Sequence, residues 1–166
     1  MKTPMVVDLP SDPEFLKQYA RASMAHAHLD NALKMFIRSF RELTVEEALK
    51  YVGYRGAKHL REEIKRLARE QLPEGEALDM ALDYMSRCEA VSERRNELLH
   101  SPTARVRDGD KFLMRVRGGE EWMELPTPDA LRSLANETLA LAEEMSHERL
   151  GGVIGLALHR RKEKST

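Results

Sequence analysis

A long helical repeat of apolar residues near the start of the chain constrains the fold more than any other feature. Immediately before it, Ser11-Asp12-Pro13-Glu14 supplies a capping side chain, a proline for the first turn and an acid at the positive end of the helix dipole. The repeat predicts a helix over about 13–42 that buries one face in a bundle. Its members advance by alternating steps of four and three residues: Phe15, Tyr19, Ala22, His26, Leu29, Leu33, Phe36 and Phe40.

Three later segments have the same helical signature. A capping box, Thr44-Val45-Glu46-Glu47, starts the first of them. Gly53 and Gly56 lie within that helical pattern, and each weakens the helix by about 1 kcal/mol relative to alanine. Either the two glycines let a neighbour approach closely, or the helix breaks there. We expect the three helices at about 44–71, 76–100 and 127–149.

After Pro102 the periodicity changes from that of a helix to that of a strand. Strands are expected at 103–107, 111–117 and 121–125, joined by turns at Asp108-Gly109-Asp110 and Gly118-Gly119. We therefore predict one all-α domain over 1–166, a four-helix up-down bundle with a small β-hairpin or three-strand ribbon inserted before the last helix. Within it we expect a loosely held leader at 1–10, the β insertion at 103–125 and a flexible basic tail at 151–166.

Composition limits the classes of function. The 166 residues suit a single core, and the 42% hydrophobic content is too high for a disordered chain. The formal charge of −1 gives no global field that would attract nucleic acid, so any anion site must be local. The single cysteine, Cys88, is expected to be buried and reduced. With no secretory signal and no apolar run long enough to span a membrane, we expect a cytoplasmic protein without a membrane partner.

One polar constellation stands at the end of the third predicted helix, in the stretch 93–102. Pro102 ends the helix at about His100. Asn96 and His100 are four residues apart and share a face, while Arg95 lies about 100° round the helix. In an up-down bundle this end lies level with the N-termini of the second and fourth helices, whose free N–H groups favour a phosphate. The same topology places Arg38 and Arg41 there as well.

Arg95, four intervening residues and His100, with Asn96 directly after the arginine, resemble the R-x(4–6)-H motif of the HEPN superfamily. The resemblance implies a helical bundle that forms a homodimer, with two motifs facing one cleft, and metal-independent RNA cleavage in active members. It makes Arg95 the motif arginine, Asn96 its polar partner and His100 the motif histidine. Arg94 also satisfies the spacing, but Arg95 follows it rather than a small polar residue. The resemblance to the HEPN superfamily also allows a non-catalytic partner in a toxin–antitoxin or defence pair.

These residue types suit phosphate chemistry. Imidazole titrates near neutrality and can act as acid or base, and guanidinium is a planar, permanently charged fork that binds phosphate. The structural alternative is that Arg95 pairs with Glu89 or Glu93 while His100 caps the helix as a surface cation. A second match to the spacing, Arg21 to His26, lies mid-helix with alanine after the arginine, and we interpret it as coincidental.

Other motifs are weaker. The ribbon arginines Arg105 and Arg107 could follow a nucleic-acid backbone, although nearby acids such as Asp110 favour ion pairs across a solvated face. No cofactor motif is present, and no metal site is expected because the histidines diverge or lie at opposite bundle ends. The predicted site is catalytic at Arg95, Asn96 and His100 and binds nucleic acid, either RNA or a nucleotide, through Arg94, Arg38, Arg41, Arg105 and Arg107.

Overall fold

A computed structural model describes residues 5–99, 101–107, 109–115 and 121–165 of the chain. The mostly helical fold with an antiparallel sheet before the last long helix is confirmed, whereas a strict four-helix up-down bundle is not. Within the described residues the helices are α1 Pro13–Arg41, α2 Val45–Val52, α3 Ala57–Gln71, α4 Glu76–Leu99, α5 Pro128–Leu150 and α6 Val153–Ser165. The strands are β1 Met5–Val7, β2 Thr103–Val106, β3 Phe112–Arg115 and β4 Trp122–Glu124.

Helix α1 begins and ends as its sequence predicts. The Asp12 carboxylate accepts a hydrogen bond from the Phe15 amide over 2.9 Å, with Pro13 in the first turn. The helix ends at Glu42, which adopts a left-handed conformation with φ 58°. The predicted stripe is largely buried, and Leu29, Leu33 and Phe36 are among the side chains with at most 1% exposure. Local capping and periodicity are sufficient to define this helix.

The second predicted helix is two helices, α2 and α3, separated at Gly53 and Gly56. Gly53 has φ 51° and ψ −132°, a backbone conformation that side chains with a Cβ rarely adopt. Gly56 is the N-cap of α3. The capping box at Thr44 starts α2, because the Thr44 hydroxyl accepts from the Glu47 amide and Glu47 accepts from the Thr44 amide. Of the two possibilities that the glycines left open, the helix break is the observed one.

This break reverses the chain once more than an unbroken helix would. The charge of Arg61, near the start of α3, adds to the effect of burial in lowering the pKa of His26, which lies in the middle of α1. Farther along, Leu67 and Gln71 line one cavity together with Phe40. Helix α3 therefore runs in the same sense as α1, rather than antiparallel to it.

Helix α5 also runs parallel to α1. Arg132 near its start pairs with Glu14 over 3.1 Å, and Arg149 near its end lies 3.3 Å from the Ser39 hydroxyl. These two contacts join matching ends of the helices, so the two helices that pack most extensively in the fold have the same direction.

Helix α4 runs against both α1 and α5. Phe36 lies near the end of α1 and Tyr84 lies in the first half of α4. Their rings meet edge to face with centroids 6.4 Å apart. The end of α4 meets α5 where Arg94 pairs with Glu137 over 2.7 Å. The C-terminal end of α4 therefore lies beside the N-terminal half of α1, which is opposite to the arrangement predicted from an up-down bundle.

The sheet has four strands in the order β1-β2-β3-β4, each antiparallel to its neighbour. The leader expected to be loosely held supplies β1, which pairs with β2 so that Val6 lies opposite Arg105. Its attachment is reinforced where the Asp8 carbonyl accepts from the Thr103 hydroxyl over 2.8 Å. Two consecutive β-branched residues, Val6 and Val7, favour an extended backbone that pairs with the free edge of β2. The predicted turn at Gly118-Gly119 lies outside the described residues.

The segment expected as a flexible tail contains helix α6 instead. Ile154 is fully buried, and Val153, Ala157 and Leu158 pack against the core. Gly155 allows this docking, because a Cβ there would lie 2.7 Å from the carbonyl oxygen of Arg149. Of the basic residues that suggested mobility, Arg160, Arg161 and Lys162 are exposed in the last turns of this helix.

The break at Gly53 offers a direct test of backbone strain. We expect Gly53→Ala to lower the free energy of unfolding by about 1–3 kcal/mol, because alanine is strained at φ 51°. Gly56→Ser is the matched control, since Gly56 has φ −73° and a serine hydroxyl can cap α3. Urea denaturation of the two variants measures both effects. Equal stability of Gly53→Ala and the parent chain would contradict the assigned conformation.

Glu63 on α3 predicts a pH dependence. Hydrogen bonds from Arg66, and then from Arg41 and Tyr51, lower the pKa of Glu63 from 4.5 to about 2. Because the folded-state pKa is depressed, this contribution to stability is complete above pH 4.5 and is lost as the pH falls towards 2. Solvent screening of Arg66 reduces it to about 1–2 kcal/mol. Urea titrations between pH 2 and 6 should show a shallower acid loss for Glu63→Gln, and an unchanged one for the exposed control Glu46→Gln.

Candidate functional site

Arg95 and Asn96 lie in the last turns of α4, and both side chains are half-buried. Arg95 Nη1 donates a hydrogen bond to Asn96 Oδ1 over 2.9 Å. This hydrogen bond holds one edge of the Arg95 guanidinium plane in place. His100, the third member of the predicted motif, lies outside the described residues. The motif arginine and the polar residue directly after it are thus in contact in the structure.

The charge of Arg95 acts on α1. Burial raises the pKa of Tyr19, and nearby Arg95 opposes that rise. Burial also lowers the pKa of His26, with Asp30 opposing the change and Arg95 and Arg61 adding to it. Glu89, one of the two acids considered as partners for Arg95, binds Arg61 over 3.5 Å and Lys65 over 3.9 Å. Arg95 is therefore close enough to Tyr19 and His26 of α1 for its charge to act on both.

The structure does not bring Arg38 and Arg41 to this end of the fold. His26 lies close to Arg95, and Arg38 follows His26 by twelve residues, which is about 18 Å along a helix. Both arginines also have local partners. Arg38 donates to the carbonyl of Leu43 over 3.1 Å, and Arg41 binds Glu63 and lies 4.2 Å from the centre of the Tyr51 ring. The extra chain reversal at Gly53–Gly56 is the reason for this displacement.

The other three arginines predicted to bind nucleic acid, Arg94, Arg105 and Arg107, lie in different surroundings. Arg94 pairs with Glu137 on the surface, with both side chains about half exposed. Arg105 binds the Asp8 carboxylate over 3.0 Å and the Gly109 carbonyl over 3.1 Å, which fastens β1 to β2. Arg107 is exposed. A continuous basic track through these arginines and Arg95 is not present within the described part of the chain.

A partly buried polar cluster that the sequence reading missed lies next to Arg95, between α1, α3 and α4. We use the name polar cluster for His26, Asp30, Arg61, Glu89 and Ser92. His26 is 5% exposed and Arg61 is 6% exposed. His26 Nε2 lies 3.7 Å from Asp30 Oδ1, and Arg61 Nη1 lies 3.5 Å from Ser92 Oγ.

Several polar atoms here have no hydrogen-bond partner among the described residues: His26 Nδ1, Asp30 Oδ1, Arg61 Nε and Arg95 Nε. Leaving a buried polar atom unpaired costs about 1–3 kcal/mol, so native structures rarely tolerate several together without a ligand or water. The two guanidinium N–H groups require an oxygen acceptor. The arrangement is suited to hold water or an oxyanion close to Arg95.

Two sequence signals could have revealed this cluster. His26 and Asp30 are four residues apart on α1, a spacing that permits a side-chain pair. The second match to the motif spacing, from Arg21 to His26, also ends at this histidine and was interpreted as coincidental. Arg61 gave no such signal, since its burial depends on how α3 packs against α4.

An apolar cavity of about 660 Å³ adjoins the site at the end of α4. We call it the end pocket. Its walls come from α1, the end of α4 and the sheet, and include Phe15, Tyr19, Leu98 and Met114. Volumes of 300–1,000 Å³ are typical of small-molecule sites. Arg95 precedes Leu98 by one turn of α4, so these two side chains lie about 60° apart round the helix.

Neither a metal centre nor a membrane span is found in the described residues. No group of three or more histidine, cysteine, aspartate or glutamate side chains there could hold a metal ion. No described helix is both long and apolar enough to cross a membrane. Burial raises the pKa of Cys88 to about 12, so its thiol stays protonated and packs as a small apolar group.

Comparisons with protein families, curated proteins and solved structures do not assign this chain to a known group. No family model matches the sequence, and neither a curated protein nor a solved structure is detectably similar to it. The geometry of Arg95, the polar cluster and the end pocket therefore has to support any functional assignment by itself.

Proposed function

We propose that this chain is a HEPN-like protein that acts on RNA as a homodimer and cleaves it without a metal ion. Its supporting observation is the hydrogen bond from Arg95 to Asn96, which orients a permanently charged fork at the end of α4. The unpartnered Arg95 Nε and the neighbouring Arg61 add donors suited to a phosphate. We place this activity in the cytoplasm, where RNA substrates occur.

The proposed reaction assigns one role to each motif residue. A base removes the proton of the 2′-hydroxyl, its oxygen attacks phosphorus, and the bond to the 5′-oxygen breaks as that oxygen takes a proton from an acid. The products are a 2′,3′-cyclic phosphate and a 5′-hydroxyl. His100 is the proton-transfer group, Arg95 stabilises the phosphorane charge, and Asn96 positions Arg95. Two copies of His100 across a dimer cleft would supply both base and acid.

Cleavage of single-stranded RNA in EDTA tests this proposal. We expect the parent chain to be active, and His100→Ala and Arg95→Ala to lose at least about 100-fold in rate while keeping their circular dichroism spectra, because general acid–base catalysis contributes about 10²–10⁴-fold. Sedimentation should show a dimer in all three proteins. Cleavage that requires Mg²⁺, or that persists in both variants, would rule out the proposed activity.

A second candidate is a non-catalytic partner in a toxin–antitoxin or defence pair. It is favoured by exposed apolar side chains on the β1 side of the fold, where Val7 is 91% exposed and Leu9 is 77% exposed. This candidate predicts a stable complex with a cognate protein and no RNA turnover. RNA binding without cleavage, weakened by salt, would instead indicate a binding module.

A further inference from the structure

The end pocket offers flat apolar walls. Phe15 and Tyr19, one turn apart on α1, have ring centroids 6.0 Å apart and planes inclined by only 30°. Leu98 and Met114 face the same cavity from α4 and β3. Such walls suit a planar ring, which stacks on aromatic side chains with about 1–3 kcal/mol for a nucleobase. Leu16, which is 45% exposed, lies at the rim of the cavity.

Arg95 lies close to the wall that α4 contributes to the pocket, one turn before Leu98. Tyr19 lines the pocket, and the nearby charge of Arg95 opposes the rise that burial causes in the Tyr19 pKa. Two further polar side chains close to Arg95, His26 and Arg61, are more than nine-tenths buried, and Arg61 Nε has no hydrogen-bond partner among the described residues. Asp8, the one carboxylate among the described residues that line the pocket, pairs with Arg105 over 3.0 Å. Arg95, whose Nε has no hydrogen-bond partner among the described residues, thus lies one helical turn from the wall of an apolar cavity.

We propose that the end pocket binds the unpaired base of a nucleotide whose phosphate lies at Arg95. The matching features are a planar apolar body for Phe15 and Tyr19, and an oxyanion for Arg95. This assignment rests on the proposed function, since it gives the RNA site a subsite for one base. Tyr19 becomes the residue that joins the two halves of the ligand.

Calorimetric titration of the full chain with three probes tests this assignment. Adenosine 3′-monophosphate should bind at least about tenfold more tightly than adenosine or inorganic phosphate, because only the nucleotide occupies both halves. Tyr19→Leu should weaken nucleotide binding about tenfold and leave phosphate binding unchanged. Tyr54→Leu is the matched control, because Tyr54 is fully exposed outside the pocket, and it should bind as the parent does.

A second variant guards against misfolding of the first. Leu16→Trp starts from a partly exposed position and should fill the mouth of the pocket, again lowering nucleotide affinity but not phosphate affinity. Equal affinities for adenosine and its nucleotide, or unchanged nucleotide binding in both pocket variants, would overturn the assignment. Tighter binding of dodecyl phosphate than of the nucleotide would replace the base with an alkyl ligand. Displacement of nucleotide by self-association at high protein concentration would identify a second copy as the occupant.

The test of nucleotide binding in the end pocket can fail or succeed independently of the test of RNA cleavage. Nucleotide binding that depends on Tyr19, in a protein that does not cleave RNA, would support the pocket and reject the nuclease. Conversely, EDTA-resistant cleavage whose base preference is the same in the parent chain, Tyr19→Leu and Leu16→Trp would support the nuclease and reject the pocket.

Discussion

Lysine in place of Arg95 should lower RNA cleavage by about 100-fold or more without changing the fold. Arg95 uses Nη1 to hold Asn96 and leaves its other N–H groups for phosphate, whereas a lysine ammonium is a compact charge that cannot donate in two fixed directions. Loss of one preorganised donor to a developing anion costs about 10²–10³-fold in rate. Initial rates of RNA cleavage in EDTA, with thermal unfolding as the check on folding, measure this effect.

Arg94→Lys is the matched control, because Arg94 is the neighbouring arginine and also satisfies the loose motif spacing. It pairs with Glu137 on the surface, where lysine can replace it at a cost below about 1 kcal/mol. We expect its cleavage rate to stay within about twofold of the parent. If Arg94→Lys lost activity and Arg95→Lys kept it, the identity of the motif arginine would have to be reversed.

The largest loss of stability is expected for Phe36→Ala. Phe36 is 1% exposed and its ring contacts those of Phe40 and Tyr84, each with centroids 6.4 Å apart. Removing a buried phenylalanine side chain costs about 3–5 kcal/mol, a large part of the 5–15 kcal/mol that stabilises a typical domain. The contact joins α1 to α4, so its loss also loosens the packing that carries Arg95 towards α1.

Urea denaturation gives the free energy of unfolding for this comparison. Met24→Ala on the same helix is the control, since Met24 is 66% exposed and its replacement should change stability by about 0.5 kcal/mol or less. A Phe36→Ala protein as stable as Met24→Ala would show that α1 and α4 do not pack through this ring.

The features that the sequence predicted well are local ones. The start of α1 depends on Asp12 and Pro13, and its buried face on spacing along one helix, so both can be derived from neighbouring residues. The sequence also indicated the strands β2, β3 and β4 through a change of periodicity after Pro102.

What could not be predicted depends on chain direction and distant packing. Two glycines left it open whether the helix after Thr44 continues, and that choice decides whether α4 runs with α1 or against it. Arg38 and Arg41 were consequently expected at the wrong end of the bundle. The polar cluster was missed because His26 fits an apolar stripe and Arg61 reaches it only from α3. Strand β1 was missed because its partner β2 is about 100 residues away in sequence.

The placement of α6 has a practical consequence for immobilisation and labelling. Lys162 of this helix pairs with Glu42 over 3.3 Å, just beyond the end of α1, so the last described turn sits at the opposite pole from Arg95. Strand β1, by contrast, borders the end pocket. A surface tether or fluorophore attached after Ser165 should leave the pocket accessible to ligand, whereas the same group attached ahead of Met5 would crowd its entrance.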